Sequence, residues 1–160
     1  MADPTGATLH KLDMAGRIKL REEERAELGD RMVMSCNFDK RIAIYTSAAF
    51  VRLQADLARL PRHDPDVRDL KRFLLSPAET CEVDSQGRVR IPEALLKWAG
   101  LGGSVLDAYL APVEAGEWEC CEAARWHEFN NQREADLKEK SGVLFAAAGS
   151  REQEAGGESA

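Results

Sequence analysis

The sequence predicts an α+β fold made of two repeated halves, with short helices in each half and a helical bridge between them. The first observation is a repeat, because residues 12–18 and residues 83–89 both read apolar-Asp-x-x-Gly-Arg-apolar, 71 positions apart. The second is that apolar and basic residues alternate after each copy, which is typical of a β-strand. The third is a pair of segments between the copies whose apolar residues recur at helical spacing. Such a repeat predicts two similar units that fold around each other.

Composition and length place the chain among globular proteins. Its 160 residues are 44% hydrophobic and 31% charged, which suits one compact body or two small halves that share a core. No run approaches the roughly 20 apolar residues that a membrane span needs, and the first residues lack the pattern of a leader peptide. We therefore expect a cytoplasmic protein with no membrane partner. The four cysteines form no C-x-x-C pair and are expected to be reduced and buried.

The charge is unevenly distributed along the chain. The net charge is −6, but residues 1–100 carry 17 Lys and Arg against 16 Asp and Glu, whereas residues 101–160 carry 5 against 12. The part that contains both copies of the repeat is thus free of the acidic excess. Local basic patches therefore matter more than the total when an anionic partner is considered.

Each copy of the repeat is predicted to form a tight turn followed by a strand with one basic face. Asp and Gly have turn chemistry, since the Asp side chain can accept backbone hydrogen bonds and Gly tolerates positive φ. The turn residues of the motif are Asp13, Gly16, Asp84 and Gly87. Alternation then places Ile18, Leu20, Val89 and Ile91 inward, and Arg17, Lys19, Arg21, Arg88 and Arg90 outward. Two basic rows should therefore follow the two turns.

The remaining patterns divide the chain. Short helices are predicted at residues 22–28 and 93–99, each closed by Gly. Hairpin strands are expected at residues 32–36 and 41–45, with counterparts at 105–110 and 118–121. We expect a first repeat over residues 7–60, a helical bridge over 61–77 and a second repeat over 78–138, whose last helix ends near residue 140. Residues 141–160 are rich in Gly, Ala, Ser and Glu and are expected to be a disordered tail.

The patterns of hydrolytic, metal and nucleotide chemistry are absent from the sequence. His10, His63 and His127 are isolated, and no H-E-x-x-H, C-x-x-C, G-x-S-x-G or G-x-G-x-x-G occurs. We therefore expect no enzyme, no catalytic residue, no metal, no cofactor and no small-molecule substrate. The two basic loops remain, because Arg suits phosphate and guanine edges. The competing interpretation is that exposed strands carry charge for solubility and to prevent edge pairing.

Two D-x-x-G-R boxes at this spacing, the second continuing as Val89-Arg90-Ile91-Pro92, resemble the MraZ family of bacterial transcription regulators, which is related to AbrB-type proteins. The resemblance covers roughly Thr8 to Phe129. It implies a double swapped-hairpin AbrB-like β-barrel, a ring-shaped homo-oligomer, and nucleoid-associated binding to double-stranded DNA at promoter repeats of a cell-division and cell-wall gene cluster. By motif position it assigns DNA contact to Arg17 and Arg88, to which alternation adds Lys19, Arg21 and Arg90.

The first box departs from the family pattern, because Arg21 stands where the second box has Pro92. The first strand is then expected to extend, or its helix to start less sharply. The acidic second half also leaves an alternative open, an oligomeric protein-interaction protein on the same scaffold without strong DNA binding. A third possibility, the DNA-binding half of a toxin-antitoxin pair, fits less well because AbrB-type antitoxins usually carry one box per chain.

Overall fold

The computed structural model describes residues 6–157, and side chains as far as Arg151. Strands and helices follow the repeat, since the order β-β-α-β-β-α occurs twice around one additional helix. In the first half these are β1 (Thr8–Lys11), β2 (Arg17–Lys19), α1 (Glu22–Leu28), β3 (Arg31–Asn37), β4 (Arg41–Thr46) and α2 (Ser47–Ala58). After α3 (Pro65–Leu75) come β5 (Glu79–Glu82), β6 (Arg88–Arg90), α4 (Glu93–Ala99), β7 (Asp107–Glu114), β8 (Glu117–Glu122) and α5 (Ala123–Gly157).

The two halves exchange their first strands. A six-stranded antiparallel sheet has the order β1-β7-β8-β4-β3-β5, so β1 of the first half pairs with β7 of the second, and β5 pairs with β3. The second strands of the two halves pair with each other in a separate two-stranded sheet, β2-β6. Neither sheet closes into a barrel within residues 6–157. The mixed α and β architecture is therefore as predicted, but the predicted barrel is not confirmed.

The main core lies between the β2-β6 ribbon, helices α1 and α4, and one face of the larger sheet. The alternation predicted from the sequence is confirmed on the inner side of the ribbon, where Ile18, Leu20, Val89 and Ile91 are buried. A smaller cluster on the other face of the sheet joins Ala43, Tyr45 and Ala49 to partly buried residues of α2. Burying one apolar face per element is what fixes the register of short strands such as these.

The short helices begin and end where the sequence predicted. Both motifs are followed by a seven-residue helix closed by Gly29 or Gly100. The departure at Arg21 has no effect on these bounds, because Arg21 adopts φ −70° and ψ 157°, close to the φ −53° and ψ 138° of Pro92. The N–H that proline lacks is used, since it donates to Oε1 of Glu24 at 2.8 Å. The expected extension of the strand or softening of the helix start is therefore wrong.

Helix α5, considered by itself, corrects the prediction for the C-terminal part. It continues to Gly157, whereas the sequence suggested a helix end near residue 140 and a disordered tail from residue 141. The physical reason is that an interior Gly costs about 1 kcal/mol relative to Ala, which the surrounding Ala, Glu, Gln and Arg residues offset. Residues 158–160 of the predicted tail lie outside the described residues. Within residues 6–157 no helix combines the length and apolarity of a membrane span.

All four cysteines are reduced and buried, as the sequence predicted. Burial raises the pKa of the Cys81 thiol to about 11 and that of Cys120 to about 12. Because the thiolate is the nucleophilic form, thiols in such surroundings are inert near neutral pH.

Candidate nucleic-acid interface

The two boxes meet in one antiparallel ribbon, which we call the basic ribbon (β2 and β6). Arg17 lies opposite Arg90, Ile18 opposite Val89, and Lys19 opposite Arg88. Residues directly opposite each other in an antiparallel pair share a face. Since the Ile18–Val89 pair is buried in the core, the other two pairs lie on the opposite face. The basic rows that the sequence predicted separately thus form one surface of four cations.

The two facing pairs of cations are, taken by themselves, unfavourable contacts. Like charges directly opposite each other on paired strands destabilise a sheet, and both charged pairs of the basic ribbon are of this kind. If these side chains served solubility alone, positive and negative residues in alternation would do as well. A face whose charges repel one another gains most from an anionic partner that neutralises them.

The first turn is held by Asp13. Its Oδ1 accepts the backbone N–H groups of Ala15 and Arg17, both at 2.9 Å, and its own N–H donates to the carbonyl of Arg17 at 3.0 Å. Gly16 has φ +75°, a conformation that glycine adopts without strain. The Asp and Gly of the motif therefore form the turn, as the sequence predicted.

The second turn repeats these bonds. Oδ1 of Asp84 accepts from the N–H groups of Gln86 at 2.8 Å and Arg88 at 2.9 Å, and Gly87 has φ +79°. The turns are also joined to the facing strands, since the N–H of Leu20 donates to the carbonyl of Gly87 at 3.0 Å. The 71-residue repeat is thus preserved at the level of individual hydrogen bonds.

Each Asp also holds the Arg that ends its own box. Nε of Arg17 donates to Oδ2 of Asp13 at 2.7 Å, and Nε of Arg88 donates to Oδ2 of Asp84 at 3.1 Å. The side chains of Arg17 and Arg88 lie on the outward face, where 33% and 29% of their surface is exposed. Using Nε for the carboxylate leaves the terminal amino groups of each guanidinium as donors towards a partner.

The Asp residues remain charged in this role. Hydrogen bonds from the backbone N–H groups of Arg17 and Arg88 lower the pKa of Asp13 and of Asp84 more than partial desolvation raises it. The two boxes are also close to each other, because Nη1 of Arg88 lies 4.0 Å from Oδ2 of Asp13. The sequence predicted a role in the turn for these Asp residues but not their contact with the Arg side chain.

The other predicted residues occupy more exposed positions. Lys19 and Arg90 are exposed on the basic ribbon. Arg21 is exposed beyond the end of β2, where it precedes α1. It is therefore beside the basic ribbon rather than within its paired strands, and the structure brings the remaining four cations together without it.

A buried polar cluster behind the first box was not predicted. Glu24 is 1% exposed, and its carboxylate accepts from Oγ1 of Thr8 at 2.8 Å and lies 3.0 Å from Nε2 of His10. In the sequence Glu24 looks like its neighbours Glu22 and Glu23, ordinary acidic residues in the first turn of a helix. The repeat held a signal, because the position 71 residues later is Leu95, an apolar residue that is also buried.

Within residues 6–157 no group of three or more His, Cys, Asp or Glu side chains is arranged to hold a metal ion.

Comparison with known proteins relates the chain to one family. The family model for the MraZ protein, described as antitoxin-like, matches residues 5–73. A transcriptional regulator MraZ of Paenarthrobacter aurescens is 35% identical over 130 residues, which are 81% of this chain and 87% of that protein. One of Thermoanaerobacter pseudethanolicus is 31% identical over 81% of this chain and 88% of its own length. One of Acetivibrio thermocellus is 30% identical, covering 87% and 96% respectively.

Proposed function

The chain belongs to the MraZ family, and we propose that it is a sequence-specific DNA-binding regulator of transcription. The relatives compared above are named transcriptional regulators. The observation that carries the proposal is the basic ribbon, on which four cations share one face. Asp13 and Asp84 pair with Arg17 and Arg88, which leaves Lys19 and Arg90 exposed opposite them on the same face. Neutralisation by DNA phosphate and contact with base edges would account for this face.

We place the basic ribbon in the major groove, which is wide enough for a two-stranded β-ribbon. The guanidinium groups of Arg17 and Arg88 would meet guanine edges or phosphate with paired hydrogen bonds. Lys19 and Arg90 lie directly opposite these two residues and would contact the flanking backbone. In this arrangement Asp13 and Asp84 are positioning residues, because their contact with Nε fixes the direction of each Arg before DNA arrives. A side chain that is already ordered loses less conformational entropy on binding.

The proposal extends to assembly and target. A ring-shaped homo-oligomer would present many copies of the basic ribbon to spaced promoter repeats of a cell-division and cell-wall gene cluster, so that weak sites add through high effective concentration. The exchange of β1 and β5 between the halves supports the interlocking of a swapped-hairpin fold, with repeats over residues 7–60 and 78–138 and a bridge over 61–77. Its place in the cell would be the cytoplasm, on the nucleoid.

The test is the double variant Arg17→Ala and Arg88→Ala, measured by gel shift on the DNA upstream of the chain's own gene. Loss of a good bidentate contact costs about 1–3 kcal/mol each, so we expect the double variant to bind at least about 30-fold more weakly. The dependence of binding on salt should flatten as well, because fewer counterions are released. Arg62→Ala, an exposed Arg outside the basic ribbon, is the matched control and should bind as the unmodified chain does.

Unchanged affinity and salt dependence in the double variant, with circular dichroism showing an intact fold, would rule out DNA contact through the basic ribbon. Arg17→Lys and Arg88→Lys refine the result. They keep the charge but lose the fork and the Nε contact, so they should bind DNA with reduced discrimination between target and random sequence.

A second candidate function is the binding of another protein without strong DNA affinity. It is favoured by the adjacent apolar residues Val143, Leu144 and Phe145 of α5, which are 72%, 61% and 78% exposed. Exposed apolar groups in series commonly mark an interaction site. Absence of any retardation of the upstream DNA at low salt would favour this function over the first.

A further inference from the structure

Two equivalent grooves flank the basic ribbon, one in each half. The first groove lies between β1 and the end of β2, and the residues that define it are Thr8, His10, Lys19 and Arg21. The second groove lies between β5 and the end of β6, and the residues that define it are Glu79, Glu82, Arg90 and Glu93. The repeat relates them, because Lys19 and Arg90 are 71 positions apart, as are Thr8 and Glu79.

The grooves have opposite charge. Two cations line the first groove, Lys19 and Arg21, and no carboxylate is among its lining side chains. Three carboxylates line the second groove against one cation, Arg90. Two of them also pair with cations outside this lining, Glu82 with Arg31 at 3.4 Å and Glu93 with Lys97 at 3.6 Å, both at exposed positions where such pairs are weak. Two substitutions between the halves produce half of this difference, since Glu79 replaces Thr8 and Pro92 replaces Arg21. The other half comes from Glu82 and Glu93, whose counterparts Lys11 and Glu22 do not line the first groove.

The antiparallel ribbon places these grooves at its opposite ends. Lys19, which borders the first groove, pairs with Arg88, whereas Arg90, which borders the second, pairs with Arg17. The charge along the basic ribbon and its flanks therefore changes from positive at the Lys19 end to acidic beyond the Arg90 end. The two boxes therefore offer equivalent residues for contact with DNA bases. The grooves beside them differ in charge, so they offer different contacts to the DNA phosphates.

We propose that the first groove holds a DNA backbone phosphate between Lys19 and Arg21, whereas the acidic second groove keeps the backbone away. Each chain then binds its DNA site in one direction. The inference rests on the proposed function, since it assumes that the basic ribbon meets DNA. It adds a phosphate contact outside the paired strands, and it assigns a role to the replacement of proline by Arg21.

Glu24 is buried behind Thr8 and His10 and does not line the first groove. Its carboxylate is satisfied by Oγ1 of Thr8, Nε2 of His10 and the backbone N–H of Arg21. These donors hold its negative charge within the protein, so the guanidinium of Arg21 is not required to neutralise it. Glu22, the counterpart of Glu93, does not line the first groove.

The experiment compares Arg21→Ala with Arg21→Lys in the full chain, on the DNA upstream of its own gene and on random DNA of equal length. A phosphate contact is sequence-independent, so Arg21→Ala should weaken binding to both DNAs by a similar factor. It should also lower the slope of log affinity against log salt by about one for each chain engaged. Arg21→Lys should restore most of both quantities. Both variants keep the backbone N–H of residue 21, which donates a hydrogen bond to Glu24.

Glu93→Gln is the matched variant of the second groove, and we expect it to change affinity less than twofold because the backbone does not approach it. An unchanged salt slope in Arg21→Ala would overturn the phosphate site. A tightening by Glu93→Gln equal to the weakening by Arg21→Ala would overturn the directional binding. In both cases loss of binding by Arg17→Ala with Arg88→Ala would leave the basic ribbon as the DNA contact, so the two proposals can fail separately.

Discussion

The first and second halves build the same turn with the same hydrogen bonds and place different chemistry behind it. In the first half Glu24, His10 and Thr8 form a buried polar cluster, whereas the equivalent positions of the second half are Leu95, Cys81 and Glu79. The two turns and the basic ribbon stayed alike while the supporting interior and the flanking grooves diverged. The two halves are therefore most alike where they meet, in the turns and the basic ribbon.

The different interiors imply different responses to mutation. A buried carboxylate needs its donors, because an unpaired buried charge or polar group costs several kcal/mol. A buried leucine needs only volume. The two halves should therefore differ in which substitutions they tolerate, and three experiments, ordered from the largest expected effect to the smallest, can test the comparison.

Glu24→Leu gives the first half the residue that the second half has at the equivalent position. We expect a loss of about 3 kcal/mol in the free energy of unfolding, because His10, Thr8 and the N–H of Arg21 lose their buried acceptor. Urea denaturation followed by circular dichroism measures it. Glu22→Leu, an exposed position on the same helix, is the control and should stay within about 0.5 kcal/mol. Equal midpoints for both variants would show that the cluster contributes nothing.

Gly16→Ala and Gly87→Ala compare the two turns directly. Both positions have positive φ, so each substitution should cost about 1 kcal/mol or more. At Gly16 an added Cβ would also lie 2.7 Å from Cδ1 of Leu96, whereas at Gly87 the nearest atom is Nη1 of Arg25 at 3.7 Å. We expect about 2 kcal/mol for Gly16→Ala and about 1 kcal/mol for Gly87→Ala by the same denaturation. A larger loss for Gly87→Ala than for Gly16→Ala would mean that Leu96 of α4 moves aside at little cost in free energy.

The third experiment concerns the β7-β8 hairpin, where Glu114 lies opposite Glu117. Burial, together with the neighbouring Glu114, raises the pKa of Glu117 to about 7. The folded chain therefore keeps a proton that the unfolded chain releases, so the free energy of unfolding should fall as the pH rises from about 4.5 to about 7. Glu117→Gln should remove most of this fall, as measured by urea denaturation across that range. If the free energy of unfolding of the variant falls by the same amount, a group other than Glu117 causes the pH dependence.

Glu24 should give the opposite dependence at lower pH. Burial tends to raise its pKa, but hydrogen bonds from His10, the N–H of Arg21 and Thr8 outweigh that effect and lower it below 4.5. Its contribution is therefore present above the unfolded value and is lost as the pH falls through the folded one. The two regions should therefore lose stability in different pH ranges. The Glu24 cluster loses it as the pH falls below the ordinary value of a Glu, and the β7-β8 hairpin loses it as the pH rises towards about 7.

The local features of the fold could be predicted from the sequence. Helices α1 and α4 and the inward residues of the basic ribbon follow from period and capping signals within a few residues. The exchange of β1 and β5 could not be predicted from the residues themselves, because strand pairing depends on contacts far apart in the chain. Helix α5 was predicted too short, since two interior glycines counted for more than the good helix formers around them.

The sequence indicated the residues of the candidate site but not how the fold brings them together. The repeat indicated Arg17 and Arg88, but the facing of the two boxes in one ribbon needs the tertiary pairing of β2 with β6. The contact of Asp13 with Nε of Arg17 is local, yet a turn-forming Asp and a side-chain acceptor have the same sequence signal. The role of Glu24 was hidden because its partners lie 14 and 16 positions away.

Strand exchange has a consequence for biosynthesis. Thr8 of β1 pairs with Leu110 of β7, so β1 has no partner until about 100 further residues are made, which takes about 5–20 s at ordinary translation rates. During that time the nascent first half exposes β1 and the edge of β3 that β5 later covers. Pairings so distant in the chain slow folding, and unpaired edges favour aggregation. The nascent chain should therefore depend on chaperones until its second half has emerged.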